Sequence, residues 1–278
     1  MATRRSLHIG LNAVDADSYG GWTGKLQACE ADAYSMQDVA SARNFEAEVI
    51  RTKDATIKNV YAEIEKATMD LKSGDYYFLT YSGHGGQVPD KTGEESDKLD
   101  ETWMLYDRQL VDDQIYGILS KFAVGVRVLV LSDSCHSGSV TRGHAEKRDA
   151  EFGTRPGSKR APLATTEAEY KAHKADYDKR ADEWPSMPNP KVEFTTGAGV
   201  ILLSGCRDDQ ESMDGTNNGA FTAAFLDVWD NGRFKGNHNT LLAGVRKKLA
   251  EQQYEQRPDI FSYGNDFSGL VLSQPLAD

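Results

Sequence analysis

The sequence predicts an α/β fold with a mainly parallel central sheet of about six strands, helices on both faces, and one domain over residues 1–278. Short runs rich in aliphatic and aromatic residues alternate with longer segments of helical spacing. Several of these runs are apolar at consecutive positions, which is typical of strands buried on both faces. Because strands and helices alternate along the chain, we expect a parallel sheet covered by helices.

The elements follow in order along the chain. Predicted strands cover residues 6–14, 45–50, 75–83, 126–134 and 199–206. Helical spacing covers residues 26–43, 55–72, 113–122, 219–231 and 240–253. Residues 141–196 depart from the alternation, because they are polar and contain five prolines. This segment predicts a long exposed insertion with a charged surface helix over residues 165–181.

Charge and cysteine content exclude several classes of protein. The 43 acidic and 32 basic residues give a net charge of −11, which disfavours nucleic acid and anionic membranes as partners. Three cysteines form neither a secreted disulfide framework nor a zinc pattern. No apolar run is long enough to cross a membrane, and the apolar stretch after the first residues is too short for a signal peptide. We therefore expect a cytoplasmic protein.

Two predicted strands end in reactive residues. DYYFLTYSGHGG places His84 after one strand, and VLVLSDSCHSG places Cys135 after another, 51 residues later. Ligands of parallel sheets bind beyond the carboxyl ends of the strands, so these two side chains are expected to meet. A thiol needs a nearby imidazole to become a nucleophile at neutral pH. The neighbour His136 points away from Cys135 in extended chain, so His84 is the expected base.

The glycines around His84 favour a catalytic interpretation. Because they let the backbone approach a substrate closely, the amides of Gly85 and Cys135 could form an oxyanion hole. The alternative is that Cys135 is a buried core thiol and His84 a turn residue. A metal hydrolase built on Asp133, Cys135 and His136 is a further alternative, although its spacing is unlike established zinc motifs.

Together, YSGHGG and DSCHSG resemble the histidine and cysteine motifs of the metacaspases and their prokaryotic relatives, in the caspase-like clan of cysteine peptidases. The likeness extends through HIGLNAV, LQACEADAYSM, SGCRDDQESMD and GAFTAAF, whereas the QAC-x-G signature of true caspases is absent. The resemblance implies a caspase-like fold and a monomeric cysteine endopeptidase that acts on protein or peptide substrates through an acyl-enzyme. A catalytically silent caspase-like binding module is the alternative.

The resemblance also implies cleavage after arginine or lysine. The matching pocket residues are Asp32 and Asp133, with Cys29 and Ser82 in the pocket wall. Elementary electrostatics agrees, because a buried guanidinium or ammonium needs a carboxylate partner. The alternatives are a helix-capping role for Asp133 and a solvated helix face for Asp32.

An acidic segment suggests a bound cation. Residues 90–113 contain nine acidic and three basic residues, and carboxylate oxygens suit Ca²⁺. Asp100, Asp112 and Asp113 match three calcium-binding aspartates of metacaspases, while Arg142 stands where the fourth is found. Calcium activation is therefore a hypothesis, and a solvated acidic loop is the alternative.

Basic residues in the insertion predict self-cleavage within residues 141–191, with an inert linker as the alternative. The candidate positions are Arg142, Lys147, Arg148, Arg155, Lys159, Arg160, Lys179 and Arg180.

Overall fold

A computed structural model describes residues 2–90, 99–135, 157–183, 197–207 and 210–277. The strands are β1 (Arg4–Gly10), β2 (Glu46–Arg51), β3 (Tyr76–Ser82), β4 (Gly85–Pro89), β5 (Leu99–Met104), β6 (Gln109–Val111), β7 (Arg127–Asp133), β8 (Gly199–Ser204) and β9 (Asp259–Gly264). The helices are α1 (Cys29–Ser41), α2 (Ile57–Asp70), α3 (Asp112–Leu119), α4 (Leu163–Ala172), α5 (Lys174–Glu183), α6 (Ala220–Trp229), α7 (His238–Glu251) and α8 (Phe267–Leu272).

Six strands form the central sheet in the order β2-β1-β3-β7-β8-β9. All neighbours are parallel except β9, which runs antiparallel to β8. The predicted α/β fold with about six strands is therefore confirmed. The strand β9 has no counterpart among the predicted runs, because Asp259 and Ser262 interrupt its apolar residues at the half-exposed edge of the sheet.

Side chains of the central strands alternate between two cores. In β3, Tyr77, Leu79 and Tyr81 pack with α2 and α3, whereas Tyr76 and Phe78 pack with α1, α6 and α7 on the opposite face. This alternation follows from the two-residue period of a strand, and it explains why the run is apolar at consecutive positions. Among the described residues, no helix is both long and apolar enough to cross a membrane.

A second sheet follows His84 directly. Strands β4, β5 and β6 form an antiparallel sheet that the sequence analysis did not predict. Its strands are short and contain two charged residues, Asp100 and Glu101, and the segment 91–98 between its first two strands lies outside the described residues.

The described part of the insertion contradicts the expectation of an exposed segment. Residues 158–161 are buried, and Lys159 has no exposed surface. Instead of one surface helix, the chain forms α4 and α5, and Glu169 in α4 is fully buried. The prediction was wrong because the polar side chains are neutralised by partners far away in sequence. Residues 141–156 and 184–196 lie outside the described part.

Candidate active site

Strand register brings the two sequence motifs to one edge of the sheet. Ser82 at the end of β3 pairs with Asp133 at the end of β7, so His84 and Cys135 each follow two residues beyond the same rung of the ladder. The backbones are in close contact there. A Cβ added to Gly85 would lie 1.9 Å from the Cys135 carbonyl oxygen, so only glycine fits at this position.

The Cys135 thiol is buried and enclosed by backbone. The Ser212 amide donates to its Sγ atom at 2.9 Å, and the thiol faces the Ser212 carbonyl oxygen at 3.4 Å. Burial raises the pKa of Cys135 well above its ordinary value, and contact with Cys206 raises it further. In this arrangement Cys135 is therefore a neutral thiol.

The His84 ring is held by the loop before α1. Its Nε2 atom donates to the Gly24 carbonyl oxygen at 3.0 Å, and Trp22 packs against the ring with centroids 4.7 Å apart. Because a carbonyl only accepts, this contact fixes the tautomer and leaves Nδ1 as the acceptor. Among the described residues, Nδ1 has no hydrogen-bond partner. Burial lowers the pKa of His84 to about 4, so its imidazole is neutral.

The predicted acidic pocket is filled by a lysine of the same chain. Lys159 Nζ lies 3.2 Å from Asp32, 3.0 Å from Asp133 and 2.9 Å from the Ser82 hydroxyl oxygen. Three acceptors thus meet the three N–H bonds of one ammonium group. Burial alone would lower the pKa of Lys159, but Asp133, Cys29 and Asp32 raise it well above the usual value. The lysine is therefore charged.

The backbone around Lys159 is bound on both sides. We call residues 157–161 the strap. The Lys159 amide donates to the Ser212 carbonyl oxygen at 2.9 Å, and the Gly85 amide donates to the Lys159 carbonyl oxygen at 2.8 Å. The Ala161 amide donates to the Gly85 carbonyl oxygen at 2.9 Å, and the Asp214 amide to the Gly157 carbonyl oxygen at 2.6 Å. The strap therefore runs through the site as an added strand.

The start of α6 forms the wall of the pocket. The Gly219 amide donates to Asp32 at 2.9 Å, and the Thr222 hydroxyl donates to Asp133 at 2.8 Å. The pocket carboxylates thereby satisfy N–H groups at the helix N-terminus, which need acceptors. Asp133 thus contacts both the helix end and Lys159, so the two interpretations of its role are not exclusive.

Sequence reasoning placed seven residues at this edge that the structure also brings together: Cys29, Asp32, Ser82, His84, Gly85, Asp133 and Cys135. Cys29 is buried beside Lys159, and burial raises the pKa of its thiol. Sequence reasoning missed Ser212, Asn218, Gly219 and Thr222. For Ser212, Gly219 and Thr222 the signal was present, because they lie in SGCRDDQESMD and GAFTAAF, two of the segments that carry the family resemblance. Asn218, which donates from Nδ2 to Asp32 at 3.0 Å, lies between these segments.

The predicted calcium ligands lie outside this pocket. Burial raises the pKa of Asp112 well above its usual value, and the carboxylates of Glu101, Asp100 and Asp113 raise it further. The part of the chain that the structure describes has no group of three or more metal-ligating side chains close enough to hold an ion. Calcium binding by Asp100, Asp112 and Asp113 stays a prediction. Arg142 and His136 lie outside the described residues.

Comparison with known proteins defines the class. The family model of the caspase domain matches residues 9–266, so the chain belongs to the caspase family of cysteine peptidases. It is 29% identical to Metacaspase-1 of Mycosarcoma maydis, over 93% of this chain and 70% of that protein. The expectation of a caspase-like cysteine-type peptidase is confirmed. The chain covers about two thirds of the length of such fungal metacaspases.

Solved structures agree on the fold. The crystal structure of protein GSU0716 from Geobacter sulfurreducens is similar with a TM-score of 0.86 and 40% identity, over 99% of this chain and 98% of that one. Caspase-1 from Spodoptera frugiperda has a TM-score of 0.53 and 11% identity, over 98% of this chain and 88% of that one, and shows the fold alone.

Proposed function

We propose that this peptidase cleaves after lysine or arginine with Cys135 as nucleophile and His84 as base, and that its own Lys159–Arg160 bond is its first substrate. The observation that carries the proposal is the binding of Lys159. Its ammonium group lies between Asp32 and Asp133, and its carbonyl oxygen accepts from Gly85. A substrate residue before a scissile bond needs both contacts.

The proposed chemistry begins with a neutral pair. Burial raises the pKa of Cys135 and lowers that of His84, so both groups are neutral before the reaction. The proton therefore moves from Sγ to the imidazole at the moment when the sulfur attacks the Lys159 carbonyl carbon. The Gly85 amide stabilises the oxygen that becomes negative, with the Cys135 amide as the second proposed donor. The imidazolium then gives its proton to the nitrogen of Arg160, which leaves. Water hydrolyses the thioester and releases the Lys159 carboxylate.

Specificity follows from the charge of the pocket. In the pocket, two buried carboxylates face one ammonium group. A substrate with a neutral side chain before the scissile bond would leave both carboxylates unpaired. An acidic side chain would add repulsion. Arginine can use the same carboxylates through its planar guanidinium, so we propose that it is also accepted.

The self-cleavage experiment compares five forms of the full chain. We expect the wild type to be cut after Lys159, as read from the masses of the two fragments. Cys135→Ala and Lys159→Met should not be cut at that bond, whereas Lys159→Arg should be. Lys171→Met is the matched control, because Lys171 is exposed in α4 and pairs only weakly with Glu167. Equal fragments from wild type and Cys135→Ala would refute the proposal.

A panel of fluorogenic peptides tests specificity and calcium together. Peptides with Lys, Arg, Asp or Asn before the scissile bond are offered to wild type and Cys135→Ala, with Ca²⁺ or with a chelator. We expect cleavage of the Lys and Arg peptides by the wild type only. Calcium binding by Asp100, Asp112 and Asp113 stays a proposal and enters no step above. Full activity in chelator would exclude calcium dependence.

A further inference from the structure

The segment that follows the strap is bound to the rest of the protein by contacts that do not depend on the Lys159–Arg160 bond. We call helices α4 and α5 together the clasp. Gln109 of β6 donates from Nε2 to the Thr166 carbonyl oxygen at 3.1 Å and to Glu169 at 2.6 Å. The Tyr177 hydroxyl lies 2.9 Å from Glu169 and 3.2 Å from the Gln109 carbonyl oxygen. These bonds join both helices to the small sheet.

The centre of the clasp is a buried carboxylate. The Glu169 side chain has no exposed surface, and it accepts hydrogen bonds from Gln109, Tyr177 and His173. Tyr170 and Tyr177 stack with ring centroids 5.1 Å apart and pack against Val88 and Val111. A buried, saturated network of this kind is costly to open, because each separated group would lose its partner. The clasp therefore stays in place when the strap is cut.

The first residues after the scissile bond are held as well. Arg160 and Ala161 are both buried, and Ala161 packs with Val14, Tyr19 and Met104. On the other side of the bond, Gly157 accepts from Asp214 and Lys159 fills the acidic pocket. Both new ends thus keep their own contacts after cleavage.

We infer that the site also re-forms the Lys159–Arg160 bond, so that the strap acts as a tethered inhibitor whose cut and intact forms interconvert in place. After hydrolysis, the Cys135 sulfur attacks the Lys159 carboxyl carbon, and one carboxyl oxygen leaves as water with the thiol proton, passed on by His84, and one proton of the Arg160 ammonium group. This re-forms the acyl-enzyme, in which the Lys159 carbonyl carbon is bound to the Cys135 sulfur and the Arg160 amine lies beside it. The amine attacks the thioester, the carbon–nitrogen bond forms and the carbon–sulfur bond breaks. His84 takes the proton of the attacking amine and returns it to the sulfur. No further reactant is needed.

Tethering makes this reverse reaction competitive with hydrolysis. An amine held beside the thioester has an effective concentration far above that of a free peptide, because it does not diffuse away. Cleavage alone therefore leaves Lys159 in the pocket, and other substrates compete with the strap for it. This inference rests on the proposed function, since it needs self-cleavage at Lys159.

Water labelled with the heavy oxygen isotope tests the inference. Hydrolysis puts a heavy oxygen on the Lys159 carboxylate, and only resynthesis carries it back into an uncut chain. The full chain is incubated in labelled water and digested after acidic residues, which leaves residues 152–167 as one peptide. We expect intact peptide that carries the label at Lys159, and a constant ratio of intact to cut chain. Cys135→Ala is the unlabelled control.

A clasp variant with a matched control extends the test. Tyr177→Phe keeps the stacked ring but removes the hydroxyl that donates to Glu169, so labelled intact peptide should fall by roughly threefold or more. Lys174→Gln breaks only an exposed ion pair with Asp178 on the same helix and should behave like the wild type. If the wild type is cut at Lys159 but its intact peptide never gains label, the inference is wrong and the proposed function stands. Absence of any cut at Lys159 would refute both.

Discussion

Lys159 is a buried cation that joins two buried carboxylates, and this sets its effect on stability. Replacing it with methionine would leave Asp32 and Asp133 facing each other without a positive charge. In a Cys135→Ala background, which prevents cleavage, we expect Lys159→Met to lower the free energy of unfolding by about 3 kcal/mol. Adding Asp32→Asn should recover part of the loss, because one of the two buried charges is removed. Urea denaturation measures all three forms.

The loss of stability caused by Lys159→Met should depend on pH. Burial already raises the pKa of Asp32, and without the lysine the neighbouring Asp133 raises it further. A carboxyl whose folded pKa is raised binds protons more readily when folded, so lowering the pH stabilises the folded state. The destabilisation by Lys159→Met is therefore largest above this raised pKa and shrinks as pH falls toward the ordinary carboxyl value of about 4. A loss that is equal at all pH values would contradict this account.

At the scale of single elements, the start of α6 decides whether the pocket has room for a substrate cation. A Cβ added to Gly219 would lie 2.4 Å from Lys159 Nζ and 2.6 Å from Asp133. The φ of Gly219 is −58°, so alanine is not strained in its backbone and acts only by filling space. We expect Gly219→Ala to lower kcat/KM for Lys and Arg peptides by at least roughly tenfold, and to lower Tm as well, because the added methyl group displaces Lys159 Nζ from the two carboxylates.

A variant in the same helix separates this effect from helix stability. Ala223→Gly costs helix propensity but adds no atom to the pocket, so it should lower Tm slightly and leave kcat/KM nearly unchanged. Equal kcat/KM for Gly219→Ala and wild type would mean that substrate side chains do not enter this pocket.

Elements differ in how well their sequence predicts them. Strands β3 and β7 were predicted because both of their faces are buried, and the motifs that follow them lie at one sheet edge because parallel strands share a direction. The strap was predicted to be exposed, since local sequence shows only its polar residues. Its burial depends on Asp32, 127 positions earlier in the chain. No local pattern reveals such a partner, although Lys159 was among the predicted cleavage positions.

At the scale of the whole molecule, three histidines are buried far from one another in sequence and in different elements. Burial lowers the pKa of His8 to about 3 and those of His84 and His238 to about 4. On unfolding, each of these pKa values would return to about 6.5. Between about pH 4 and pH 6.5 the unfolded chain therefore binds more protons than the folded chain. The contribution of the buried neutral histidines to stability is complete above about pH 6.5 and is lost as pH falls toward about 4.

We therefore expect the free energy of unfolding of Cys135→Ala to fall steeply between pH 6.5 and 5, by up to about 4 kcal/mol per pH unit for three protons. Most carboxyl groups titrate below this range, because their ordinary pKa values lie near 4, whereas Asp32 and Asp112, whose pKa values burial raises, oppose the slope. Urea denaturation at several pH values measures the slope. His238→Gln, at the start of α7 and outside the active site, should reduce the slope by about one third. An unchanged slope in this variant would show that buried histidines do not cause the loss.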